Sequence, residues 1–181
     1  MKVSLKWLSQ YVDLKGKSVE ELDDIFSLQL TEVEEKYPLT TANNMMIGQV
    51  LECVDHPDSD HLHVCQVSFG GEDVRQIVCG APNVEVGQRV AFAPVGSHVV
   101  GMEITEATVA GYVSQGMCCG EDELGISDDH TGLMVIDSDA PLGTDIKSIY
   151  AIDDIIFEVD NKSLTNRPDL WGHYGIAREF A

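Results

Sequence analysis

Between Met45 and Ile136 no texture persists for long. Short β-like runs, Met46–Val54, His63–Phe69, Val74–Cys79, Arg89–Val95, Ile104–Val109 and Leu133–Ile136, are each stopped by Gly, Pro, Asn or Asp. Gly70-Gly71-Glu72-Asp73 reads as a hairpin connection, and Gly80-Ala81-Pro82-Asn83 and Gly96-Ser97 as further turns. Many short strands at regular spacing predict a small closed barrel or sandwich. A span of about a hundred residues suits a five-stranded oligonucleotide-binding (OB-fold) barrel with insertions.

Both ends read differently. Leu5, Leu8 and Val12 fall at helical spacing behind a capping Ser4. Ser18-Val19-Glu20-Glu21 is a capping box, followed by the apolar stripe Val19, Leu22, Ile25 and Phe26. Thr31–Tyr37 reads as a strand closed by Pro38, and Asp154–Val159 as another. From Pro168 a helix is predicted, with Leu170, Tyr174 and Ala177 on its inner face. That stripe still runs at Ala181 without a Gly or basic cap, so the polypeptide is expected to continue. The expected fold is therefore multi-domain α+β. Residues 1–40 and 150–181 form a small, mainly helical domain from both termini, and residues 41–149 form an all-β barrel inserted in it.

Charge constrains function. The formal net charge is -20, and between Met45 and Asp145 the only basic side chains are Arg75 and Arg89. Phosphate binding depends largely on Lys and Arg displacing counterions, so charge alone predicts that this segment repels nucleic acid. The aromatics there are Phe69, Phe92 and Tyr112, which read as core rather than as a stacking platform. No apolar run is long enough to span a bilayer and the start lacks a secretory core, so a cytoplasmic protein with no membrane contact is expected. The five cysteines, an odd number, are read as reduced and mostly structural.

Catalytic and metal patterns are weak. His61, His63 and Cys65 would share a strand face, but no second ligand pair at zinc spacing accompanies them, and Pro57-Asp58-Ser59-Asp60 is a natural turn. Cys118-Cys119 is flanked by Glu121, Asp122 and Glu123, which oppose a reactive thiolate. There is no nucleophile elbow and no phosphate loop, so neither a catalytic residue nor a metal ligand is assigned.

Several strings together carry a family resemblance. His56-Pro57-Asp58-Ser59-Asp60-His61-Leu62, then Ile77-Val78-Cys79-Gly80-Ala81-Pro82-Asn83-Val84, then Ser114-Gln115-Gly116-Met117 resemble, in order and spacing, the tRNA-binding domain of bacterial phenylalanyl-tRNA synthetase β subunits. Glu123–Ile126, Asp129–Leu133 and Pro141–Asp145 extend the likeness. Met1–Leu8 is similar to the start of those subunits, and Thr165–Asp169 with Gly175–Glu179 to the segment before their editing region.

The resemblance implies a longer parent ligase that joins phenylalanine to tRNA with a catalytic α subunit in an (αβ)₂ assembly. ATP and magnesium would serve that parent, and no cofactor is expected in this segment. Within the chain it points to Asn83, Ser114, Gln115, Gly116 and Met117 as tRNA contacts, to which charge adds Arg75 and Arg89. His63 and Gln66 stand where family members carry lysines, and Gln115 where an acid is frequent. Weak tRNA binding is therefore expected. The competing functions are a free-standing tRNA-binding barrel and a protein-interaction or metal-binding barrel.

Overall fold

A computed structural model describes residues 1–181. In chain order the elements are β1 (Lys2–Ser4), α1 (Leu5–Leu8), α2 (Val19–Gln29), β2 (Val33–Pro38), β3 (Met46–Asp55), β4 (His63–Ser68), β5 (Val74–Cys79), β6 (Arg89–Pro94), β7 (His98–Val99), β8 (Met102–Glu103), β9 (Ala107–Val109), β10 (Tyr112–Ser114), β11 (Gly116–Cys119), α3 (Ile146–Ile149), β12 (Ile155–Val159) and α4 (His173–Phe180). Two compact units result. One combines Met1–Leu39 with Asp153–Ala181, and the other is Thr40–Ile152.

The first unit is built on a three-stranded antiparallel sheet in the order β1-β12-β2, so strands share it with the helices. Val3, Leu8, Leu22, Phe26, Phe157, Leu164 and Ile176 make its core. The capping box forms: Glu21 N–H donates to Ser18 Oγ at 3.1 Å, and Ser18 N–H to the Glu21 carboxylate at 2.7 Å. Leu22 and Phe26 then face inward.

Two helices differ from the sequence expectation. After Leu8 the first one tightens into i+3 bonds, Gln10 N–H to Trp7 O and Tyr11 N–H to Leu8 O, and Val12 lies beyond it, its N–H donating back to Leu8 O at 3.2 Å. The last begins as a single 3-10 turn, Pro168–Leu170, and restarts at His173 after a break at Gly172. The break resets the helical phase. Leu170, Ile176 and Ala177 face the core, whereas Tyr174 is 68% exposed rather than inward.

The second unit is a five-stranded antiparallel sheet in the order β11-β6-β3-β4-β5. β3 is its central strand, paired to β4 on one side and β6 on the other, with a register shift between Val50 and Glu52. An extra residue there bends and twists the strand, which curling a sheet into a barrel requires. The two ends of the sheet meet: Gln115 N–H donates to Gln76 O at 2.8 Å, just before β11 begins. The sheet is thereby nearly closed, around Val50, Cys65, Val67, Ile77, Val90 and Phe92.

Leu133–Ile136 is not a regular strand. Val135 makes one isolated bridge to Val90, while Ala91 N–H donates to Met134 O and Ile136 N–H to Arg89 O. β6 shares this edge between β11 and the 134–136 segment, which leaves each too little ladder for a long strand. Ile104–Val109 shortens to β9, and the chain turns at Ala110-Gly111 into β10.

Candidate nucleic-acid interface

Ser114, Gln115 and Gly116 lie at the seam of the barrel. The Ser114 hydroxyl is buried, accepts from Val78 N–H at 3.1 Å and donates to Gly116 O at 3.0 Å. The Gln115 side chain donates to Glu106 at 3.1 Å, and Gln76 reaches across to Val113 O at 2.8 Å. Gly116 has φ +140°, and a Cβ there would stand 2.7 Å from Ala93 O and 2.9 Å from the Phe92 ring. Met117 pairs with Ala93 and borders a cavity of about 350 Å³ that also touches Gly80, Asp122, Glu123 and His130.

Asn83 is similarly engaged. Its side-chain oxygen accepts from Leu133 N–H at 2.8 Å and its amide donates to Leu133 O at 3.1 Å, imitating a ladder rung across the gap. The depression beside it is bordered by Glu121 and Asp129. Hydrogen bonds from Thr131 hold the Asp129 carboxyl below its usual range. Burial acts oppositely on Glu123, raising its carboxyl, with the Gly120 N–H at 2.7 Å partly offsetting it.

The two arginines differ. Arg89 donates from its guanidinium to the carbonyls of Ser138 and Ala140, and its buried Nε has no partner. Arg75 is the more open cation, half-exposed, 5.4 Å over the Phe69 ring and 3.5 Å from Asp73. It shares a groove with Phe69, Glu106 and Gln115. The structure thus brings Arg75 and Gln115 together, and sets Asn83, Met117 and Arg89 in other surroundings. Arg75 and Gln115 each have a carboxylate close by, Asp73 beside the first and Glu106 beside the second.

The remaining sequence candidates have local partners too. His63 Nδ1 stands 3.2 Å from Asp55, His61 3.3 Å from Ser59, and Cys65 is inside the core. Phe92 is fully buried with Phe69 stacked on it at 5.2 Å, but Tyr112 is exposed rather than core, its ring edge-on to the buried His56. The largest exposed aromatics lie in the first unit: Trp7, Tyr11, Trp171 and Tyr174. Trp7 and Tyr11 lie off the Leu5, Leu8 and Val12 stripe, which is the sequence signal that two of them face outward.

Comparison with known proteins follows the same outline. The family described as "Putative tRNA binding domain" matches residues 45–145. The chain is 44% identical over 181 residues to the phenylalanine–tRNA ligase β subunit of Dechloromonas aromatica, covering 99% of this chain and 22% of that protein. It is 40% identical over 182 residues to the phenylalanine–tRNA ligase β subunit of Aromatoleum aromaticum, covering all of this chain and 23% of that one. The chain therefore spans less than a quarter of these curated relatives. Among solved structures, a MetRS-related protein from Pyrococcus horikoshii overlaps 55% of this chain and 84% of its own, at 20% identity and a TM-score of 0.41.

Proposed function

The chain belongs to the tRNA-binding-domain family, and from that premise we propose that it is a non-catalytic part of a phenylalanine–tRNA ligase β subunit. The observation that carries this is identity of about 40% over 99–100% of the chain, through the flanks as well as the family's own domain. That range also favours a ligase subunit over a free-standing tRNA-binding barrel.

In this reading the terminal unit is a small domain in which the barrel is inserted. The pair serves assembly with an α subunit in an (αβ)₂ enzyme acting on tRNA in the cytoplasm. ATP and magnesium belong to the parent's activation of phenylalanine. The residues here do not fit a nucleotide: the Gly70-Gly71 turn is followed by Glu72 and Asp73 where a phosphate cradle needs a cation. No catalytic step is assigned to them.

Direct tRNA contact by the barrel is weak in this proposal and centres on Arg75 and Gln115. Ser114, Gly116, Asn83 and Arg89 support it by holding the barrel's seam and loops. Titrating labelled tRNA into the chain at low and physiological salt tests this. The expected result is no binding tighter than micromolar at about 0.15 M salt, and a slope of log K against log salt no steeper than about −2. Tight binding with a steep slope would overturn it.

A further inference from the structure

The family reading leaves the cysteines without a role, yet two of them face each other. Cys53 on β3 and Cys65 on β4 are directly opposed in the ladder, with their sulfurs 3.5 Å apart. Antiparallel partners have Cα atoms about 4.5–5.5 Å apart, inside the disulfide range of about 4.4–6.8 Å. Side-chain rotation alone can then bring the sulfurs to bonding distance. Two of the other thiols are less well placed. Cys118 and Cys119 are adjacent, a pairing that closes only with strain, and Cys119 donates to Met117 O.

We propose that Cys53 and Cys65 are a redox modification site, a dithiol that hydrogen peroxide converts to a cross-strand disulfide. Cys53 is half-buried and Cys65 fully buried, so peroxide reaches Cys53 first. The Cys53 sulfur attacks one peroxide oxygen and the O–O bond breaks. Cys53 becomes a sulfenic acid, and the other oxygen leaves as water with the thiol proton. The Cys65 sulfur then attacks that of Cys53, the S–O bond breaks, and the hydroxyl leaves as a second water with the Cys65 proton. Two electrons pass from the sulfur pair to the peroxide.

Burial, followed by the hydrogen bond to Cys53, raises the Cys65 thiol, so it is protonated and does not compete with Cys53 for peroxide. The bond would clamp the base of the turn at residues 56–62, where His56 N–H donates to Leu62 O at 2.9 Å.

The test is peroxide titration of the chain, followed by alkylation, digestion and mass mapping. A Cys53–Cys65 linked peptide pair, lighter by two hydrogens and released by dithiothreitol, is expected. C65S should accumulate a dimedone-trappable sulfenic acid on Cys53, and C53S should leave Cys65 a free thiol at the same dose. Amide exchange across 56–62 should slow in the oxidised protein. A link between Cys118 and Cys119, a link between chains, or over-oxidation of Cys53 without any link would each overturn the proposal. If C65S fails to fold, the wild-type map alone decides.

Discussion

His173 shows how one side chain ties distant segments within the terminal unit. Its Nε2 accepts the Ser4 N–H at 2.9 Å, so that nitrogen carries no proton, and Trp7 stacks on the ring at 4.1 Å. Burial lowers the imidazole below its ordinary 6.5, with Asp154 pulling the other way. Above pH 6.5 folded and unfolded states are both neutral at this site, and its contribution to stability is complete. As pH falls below that value the unfolded chain takes up the proton first, and stability drops until the folded pKa is passed. Denaturant midpoints of the wild type and H173Q between about pH 7.5 and 5.5 should therefore diverge, the wild type falling more steeply. Parallel curves would mean that His173 does not titrate differently on folding. Asn83 gives the residue-scale lesson from the other side. Its type and its place in a turn were readable, but its partner, Leu133, is 50 residues away, and nothing local specifies that bond.

Among the elements, legibility tracked how local the cause was. β5 spans Val74–Cys79 as its apolar run predicts, and β3, β4 and β6 begin where their runs begin, since each is bounded by its own turn residues. The capping box forms because both partners lie within four residues. β11 was not legible as a strand. Gly116 disfavours a strand, and the partners that make one, Ala91–Pro94 on β6, lie more than twenty residues away. The β9–β10 hairpin turns on Ala110, at φ +49°, rather than on the usual Asn-Gly. His56 donates from Nε2 to Ala110 O at 3.0 Å, its Nδ1 being occupied by the Asp58 N–H, which is a tertiary cause. The closing strand also supplies a test. Gly116→Ala adds strain at φ +140° to overlap with Ala93 O and the Phe92 ring, and should cost about 2–4 kcal/mol. Gly101, at φ +84° with nothing within 4 Å of an added Cβ, is the control for conformation alone. Urea midpoints showing equal losses for both variants would remove the packing argument.

At the scale of the molecule, continuity of chain divides the two units unequally. The barrel runs without interruption from Thr40 to Ile152, so every strand of its sheet lies in one stretch. The terminal unit depends on both ends, because β12 is the middle strand and hydrogen-bonds both β1 and β2. Removing residues 153–181 would leave β1 and β2 without a shared partner. It would also strip Phe157, Val159, Leu164, Leu170 and Ile176 from the core around Leu8, Leu22 and Phe26. At about 1.5–3 kcal/mol for each large apolar side chain, the loss exceeds what a segment of 39 residues can recover from its own helices. A chain ending at Ile152 should therefore keep the barrel and lose the terminal unit. Trypsin reads the two separately, because Lys15, Lys17 and Lys36 lie in one segment and Arg75 and Arg89 in the other. In the truncated chain, cleavage after the three lysines should become fast while cleavage after the two arginines stays slow. Protection of Lys36 would show that residues 1–39 fold without β12, and equal loss at Arg75 and Arg89 that the barrel needs the terminal unit to fold.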